Sequence, residues 1–313
     1  MVLVHGSKNA QDVGKQMANA YTGTTHQFST PYLTLEEFKN APTAIDISNL
    51  VFNSQDPDIQ DAELNNVIAR ASSWIDTYCN QVLAATTEQE QQRTRVNPDG
   101  TFRFHPRYNP IIALLSFQYG NPSTQLETLS DCSIAWIEDS QIIVPYANLS
   151  LTYSSQGALQ FGFPTSPRIE TYIKYTYVAG YANTTIVSAT QGASSLTVAD
   201  GTGITAGLMM KIYDGYNSEN VTVASSYVFG STTIPLVTPL AYDHDSGISI
   251  SALPPAIKEA CILVTTAFLK VRGDSSMTMA ISTTASNLLP GMDKLGDEIA
   301  LAKELLLPYR RVR

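Results

Sequence analysis

The run Tyr172-Ile-Lys-Tyr-Thr-Tyr-Val-Ala-Gly-Tyr181 reads as a strand that ends on glycine, and a helical pattern opens only at Leu253-Pro-Pro-Ala-Ile-Lys-Glu-Ala260. Between them helix-spaced apolar residues give way to short alternating runs: Leu196 and Val198; Leu208, Met210 and Ile212; Val221 and Val223; Ile234 and Leu236; Ile248 and Ile250. Turn pairs separate these runs at Asp200-Gly201, Asp214-Gly215, Gly230-Ser231 and Ser246-Gly247. A chain that leaves one pattern and returns to it carries an inserted module, here residues 184–251, within a frame built by the segments on either side. About five short strands at this spacing predict a small closed or nearly closed β-barrel, because closure removes exposed strand edges.

The frame begins after a polar arm, residues 1–31, which shows no sustained apolar period. At Tyr32-Leu-Thr-Leu-Glu-Glu-Phe38 a helix starts, with Thr34 as N-cap and Glu37 as its reciprocal partner in a capping box. Asp61-Ala-Glu opens a longer helix whose Leu64, Val67, Ile68, Ala71, Trp74, Ile75, Tyr78, Cys79 and Val82 share one face. From about residue 88 the period shortens. Residues 101–105, 111–117, 141–145 and 169–177 then read as strands, the last alternating Ile169, Thr171, Ile173, Tyr175 and Tyr177 on one side.

After the insert, Pro254 and Pro255 suit a first helical turn. The helix that follows carries Ile257, Ala260, Cys261, Val264, Ala267, Phe268 and Val271 on one side and Ile262, Leu263 and Leu269 on the other. A helix apolar nearly all round is central in its core or shared between subunits, which makes Ile262, Leu263 and Leu269 candidate subunit contacts. A final helix from Asp293 to Leu307 stops at Pro308, and the chain ends in Tyr309-Arg-Arg-Val-Arg313. The expected fold class is therefore α+β: a helical core with associated β-strands, formed by 32–183 and 252–313, and an inserted small β-barrel-like domain.

Several function classes are disfavoured. Nineteen Lys and Arg against 28 Asp and Glu give a formal charge of -9, and Lys211 is the one basic residue among six charged residues in the insert. Neither balance suits a protein that grips phosphates. Cys79, Cys132 and Cys261 match no zinc or redox spacing and read as reduced thiols of a protein made in a reducing cytosol. No h-region of a secretory signal and no apolar run of about 20 residues is present.

There is no GxSxG elbow, Walker A loop, HExxH or DxDxDG loop, and His5, His26, His105 and His244 are scattered. Catalytic, cofactor and metal sites are accordingly expected to be absent. Gly201-Thr-Gly203 lies between short β-runs and reads as a turn. Asp243-His-Asp245 reads as a solvated loop, since neighbouring strand residues point to opposite faces. Arg272-Gly-Asp274 falls where a helix ends and reads as its C-terminal cap. Tyr213, Tyr216, Tyr227 and Tyr242 read as core edges of the β-module, with glycan stacking as the alternative.

Five segments of the frame together resemble the head-to-tail connector, or adaptor, proteins of long-tailed bacteriophages. They are Tyr32-Leu-Thr-Leu-Glu-Glu-Phe-Lys39; Asp61 to Leu83 with Trp74-Ile-Asp-Thr-Tyr78; Arg107-Tyr-Asn-Pro-Ile-Ile112 leading to Phe117-Gln-Tyr-Gly120; Tyr175-Thr-Tyr-Val-Ala-Gly-Tyr181; and Leu253-Pro-Pro-Ala-Ile-Lys-Glu-Ala260. The likeness covers 32–183 and 252–313, and the insert lies where members of that family usually have a short turn. The resemblance implies a non-enzymatic virion neck protein, synthesised in the bacterial host cytoplasm. It would form a ring, typically of twelve copies, beneath the portal. Its partners would be the portal protein and a downstream neck, stopper or tail protein, with DNA passing through the lumen without sequence-specific binding and no membrane involved.

In similar adaptors the C-terminal end reaches into the portal, which makes Tyr309, Arg310, Arg311 and Arg313 the expected portal contacts. The alternative function is a virion surface or tail protein whose β-insert binds a host glycan or decorates the particle.

Overall fold

A computed structural model describes residues 30–311 except 44, 49, 52–53, 55, 98, 121–124, 146–150, 154–158, 162–169 and 273–289. Arg313, Gly273 and Asp274 of the expected helix cap, and nearly all of the polar arm lie outside the described residues. The chain divides into two compact units, one including Thr87–Ala179 and the other formed by Ser29–Thr86 and Gly180–Arg313.

The first unit is β-structure. Strands β1 (Thr86–Thr94), β3 (Ile111–Gly120), β4 (Leu126–Thr128) and β9 (Thr171–Ala179) form a sheet in the order β1-β9-β3-β4. A second sheet has the order β2-β6-β5, from Thr101–Phe104, Gln141–Pro145 and Trp136–Glu138, and β7 (Leu151–Tyr153) pairs with β8 (Leu159–Phe161). The expected alternation along β9 holds: Thr171, Ile173, Tyr175 and Tyr177 are buried, and the residues between them are half-buried. With Phe102, Phe104, Phe117, Ile142 and Val144 they build an aromatic core, in which Phe104 and Tyr175 stand 4.4 Å apart. Strand β1 is anchored by Glu90, which accepts hydrogen bonds from Tyr175 Oη (2.9 Å), Tyr177 Oη (2.5 Å) and the Arg107 amide (2.9 Å). Burial and that carboxylate push both tyrosine hydroxyls well above their ordinary pKa.

The second unit holds the helices: α1 (Leu35–Lys39), α2 (Pro57–Cys79), α3 (Pro255–Arg272) and α4 (Pro290–Leu306). The Thr34–Glu37 capping box is present as expected, with Thr34 N donating to Glu37 Oε2 at 2.7 Å. The start of α2 lies earlier than the apolar period suggests, because Asp56 caps it and Pro57 occupies its first turn. Leu64, Val67, Ile68, Ala71, Ile75 and Cys79 of α2 share one core with Ile257, Ala260, Cys261 and Val264 of α3 and Ala302 and Leu306 of α4. Within the chain α3 packs on both neighbouring helices, and Ile262 and Leu263 remain half-buried.

The insert forms a six-stranded antiparallel sheet in the order β13-β12-β15-β10-β11-β14, with its own core. Its strands are β10 (Asn183–Ser188), β11 (Ser195–Val198), β12 (Met209–Tyr213), β13 (Glu219–Thr222), β14 (Thr233–Pro235) and β15 (Ser249–Ser251). The sheet curls until its outer strands touch, where Val223 bridges Leu236 and Val237 N donates to Thr222 O at 2.9 Å. Entry and exit of the insert meet where Ala252 N donates to Ala182 O, 2.8 Å. Beside it, Gly180 (φ +108) brings the chain against Ala84, and Tyr181 N donates to Leu83 O at 2.8 Å.

The expectation of a helical connector core carrying a small β-barrel-like domain is overturned. The described residues hold fifteen strands in four sheets against four α-helices, so the fold is predominantly β. The half of the frame between α2 and the insert is a β unit with a separate core, and the insert contains the largest sheet. Two causes misled the reading. Strand β1, Thr-Thr-Glu-Gln-Glu-Gln-Gln-Arg-Thr, has no apolar residue to reveal it, and β4, β5, β7 and β8 are three residues long, too short to display a period.

Candidate functional site

Two polar centres and one aromatic strap stand out in the helical unit. The strap is the C-terminal segment. After α4 the chain makes a 3-10 turn, Leu307–Tyr309, and then runs along the end of α2. Asn80 in the left-handed region (φ 55) terminates that helix and leaves one acceptor and two side-chain donors that the strap satisfies. Arg311 N donates to Cys79 O (2.9 Å), Gln81 Nε2 to Tyr309 O (2.9 Å) and Asn80 Nδ2 to Arg311 O (3.2 Å).

Pro308 therefore does not free the chain; the backbone of residues 309–311 is tied down. The side chains point elsewhere. Arg310 is exposed, with its guanidinium 5.2 Å from the Tyr78 ring, and Tyr78 stacks on Trp74 at 5.6 Å and 1°. Tyr309 is half-buried, edge-on to Tyr181 at 6.4 Å, and Arg311 is half-buried. An exposed guanidinium on a Trp–Tyr stack is an arrangement that anchors protein–protein contacts.

The first polar centre joins the insert to the helices. Lys258 of α3 is almost fully buried, and its ammonium donates to Glu37 Oε1, to Tyr32 O (3.2 Å) and to Ser249 Oγ (3.2 Å) of β15. The Tyr213 ring of β12 covers it at 4.1 Å. Burial pulls the Lys258 pKa down despite the opposing pull of the Glu37 carboxylate, and burial pushes the Tyr213 hydroxyl up to about 12.

The second lies within the insert. His244 is buried, with Nδ1 2.7 Å from Asp214 Oδ2 and Nε2 2.9 Å from Glu219 Oε1. Glu219 also accepts from the amides of Ala241 (3.0 Å) and Tyr242 (3.2 Å). Burial raises the Glu219 carboxyl pKa, but these donors outweigh it and hold the carboxyl below its ordinary value. The solvated-loop reading of Asp243-His-Asp245 is thus corrected. His244 points inward and pins the loop, while Asp243 and Asp245 are exposed and Asp243 accepts from Gln191 N at 2.7 Å. Among the described residues no group of His, Cys, Asp and Glu is arranged to hold a metal ion.

The remaining sequence-derived positions fall as follows. Ile262 and Leu263 are half-buried against the helical core, and Leu269 is buried in it. Cys79 and Cys261 are buried, each thiol pushed by burial up to about 12, and Cys132 is half-buried. Of the four insert tyrosines, Tyr227 is buried and Tyr213 covers Lys258, which leaves Tyr216 and Tyr242 exposed. Sequence reasoning missed the roles of Lys258 and His244. A lysine on the apolar flank of α3 and a histidine between two acids were the available signals, but their partners lie tens to hundreds of residues away. No described helix is long and apolar enough to cross a membrane.

No protein-family model matches the chain, and no curated protein matches it. A solved structure described as "Neck of empty GTA particle computed with C6 symmetry" matches with a TM-score of 0.37 and 11% identity, over 91% of this chain and 94% of that one. A TM-score that low does not establish a shared fold.

Proposed function

We propose that the chain is a structural adaptor of a tailed-phage neck, a ring under the portal that joins capsid to tail and lets DNA pass through its lumen. The observation that carries the reading is the way the connector-like segments assemble. The opening capped helix, the Trp74–Tyr78 helix, the Gly180-Tyr181 strand end and the Pro-Pro helix meet in one unit, and the insert leaves and re-enters at a single turn. That is the arrangement expected if residues 184–251 were added to a connector frame. Ile262 and Leu263, half-buried on α3, are the candidate contacts to the next copy.

The portal contact is assigned to the strap, with Arg310 as its anchor, flanked by Tyr309 and Arg311 and continuing towards Arg313. Deleting the tail would also remove the hydrogen bonds that close the end of α2, so a point substitution tests the idea better. Arg310→Glu leaves the backbone strap intact and is expected to weaken binding to portal-bearing heads by roughly tenfold or more. Electron microscopy of the same heads should show rings with the native chain and bare portals with the variant. Undiminished attachment of Arg310→Glu would remove the strap from the portal interface, and heads that never carry a ring of this chain would remove the adaptor reading itself.

A further inference from the structure

The outer edge of the β-unit carries a surface that the neck reading does not use. Within residues 126–140, β4 is the edge strand of one sheet and β5 that of another, and three large apolar side chains are exposed at or just before β5: Ile134 (38% exposed), Trp136 (46%) and Ile137 (41%). Such residues on a short outer strand are unusual, since a bare strand edge invites pairing with another chain.

The backbone of that strand is open as well. Among the described residues strand β5 pairs with β6 on one side only, with Trp136 opposite Ile143, Ile137 opposite Ile142 and Glu138 opposite Gln141. The two turn residues, Asp139 (φ 47) and Ser140 (φ 62), form the two-residue hairpin loop in which the flanking pair exchanges both hydrogen bonds. Glu138 and Gln141 are that pair. Alternation then makes Ile137–Ile142 the non-bonded pair, so the Ile137 N–H and C=O face away from β6, towards the open edge.

Charge identifies the occupant. From residue 108 to residue 167 the chain has no Lys or Arg, and its four carboxylates, Glu127, Asp131, Glu138 and Asp139, are all exposed, the last two on β5 and in its turn. Donation from Ser133 holds the Asp131 carboxyl below its ordinary pKa. A strand laid against β5 would therefore gain main-chain bonds from Ile137, apolar contact with Trp136 and Ile137, and attraction for positive charge on its flanks.

We infer that β5 is a docking edge for an extended, Lys- or Arg-bearing segment of another protein, added as a strand beside Trp136–Glu138. The assignment is independent of the neck reading, because it rests on the edge, the exposed apolar residues and the charge of this unit alone. The test uses the full chain and a fluorescein-labelled peptide of alternating Val and Lys, with the matching Val-Glu peptide as comparison, read by fluorescence anisotropy.

The Val-Lys peptide is expected to bind and the Val-Glu peptide to bind roughly tenfold more weakly or not at all. Ile137→Pro removes the outward N–H at an edge position where proline is tolerated, and should weaken Val-Lys binding by roughly tenfold. The pair Glu127→Lys and Glu138→Lys keeps the backbone and should lose binding while an unchanged circular dichroism spectrum reports an intact fold. Equal binding of the two peptides, or equal Val-Lys binding by native chain and both variants, overturns the inference. So does self-association of the native chain that Ile137→Pro abolishes, since the edge would then belong to a second copy.

Discussion

Two buried polar centres set the residue-scale behaviour of this protein, and they respond differently. Glu37 serves twice, closing the capping box of α1 and neutralising Lys258. Removing it strands a buried ammonium, a loss worth about 3 kcal/mol or more when one partner of a buried pair is deleted. Glu37→Ala should lower the denaturant midpoint accordingly, whereas Glu37→Leu combined with Lys258→Met should recover most of that loss; two equal midpoints would contradict this account.

Glu219 gives the pH dependence. Its folded carboxyl titrates below its unfolded value, so its stabilisation is present above the ordinary carboxylate pKa of about 4.5 and is lost as pH falls through the lower folded value. Protection of the His244 amide at the Ala189–His244 bridge, corrected for the pH dependence of intrinsic exchange, should fall as pH drops below 4.5, and Glu219→Gln should flatten that dependence. None of this coupling was legible beforehand, because Lys258 and Glu37 lie far apart in sequence and the histidine's acceptors sit on a different hairpin.

At the scale of elements, what could be read depended on whether an element carries its own periodic signal. The capped opening helix, α3 with its prolines and the alternating β9 were visible because caps and apolar spacing are local. Strand β1 was not, since its place in the sheet depends on Tyr175 and Tyr177 donating to Glu90 from another strand. The course of the C-terminal strap was not legible for a related reason: its hydrogen-bond partners belong to the end of α2. Gly180 shows an element junction fixed by shape. A Cβ there would lie 2.5 Å from Ala84 O, and its φ of +108 already excludes an unstrained L-residue. Gly180→Ala is expected to cost about 2 kcal/mol or more of stability, measured by urea unfolding, and a change within experimental scatter would show that the Ala84–Tyr181 crossing yields easily.

For the whole molecule, the change of pattern is legible in the sequence but the balance of the architecture is not. The shift from alternating to helical spacing falls near residues 184 and 251, and the six-stranded sheet there begins with β10 at Asn183 and ends with β15 at Ser251. The division of the frame at residues 86 and 179 leaves no such mark, because it separates two cores whose residues have the same apolar character. The candidate site was legible only as far as residue types went: Tyr309 and Arg310 were nominated, while the Tyr78–Trp74 stack beneath Arg310 required the fold.

The close approach of Ala182 and Ala252, where Ala252 N and Ser251 Oγ both donate to Ala182 O, has a consequence for how this protein can be altered. It works as a coupling of fixed gauge: the two chain crossings stand about 5.5 Å apart, and any module with equally close ends can be fitted there. Exchanging residues 184–251 for a tight two-residue turn, with Lys258→Met and Glu37→Leu to match the lost Ser249 and Tyr213 without stranding a buried charge, should yield a folded helical unit with native-like helical ellipticity. An unfolded product would mean that the six-stranded module is a structural member of the frame. A folded one would make it an interchangeable attachment, open to replacement without rebuilding what carries it.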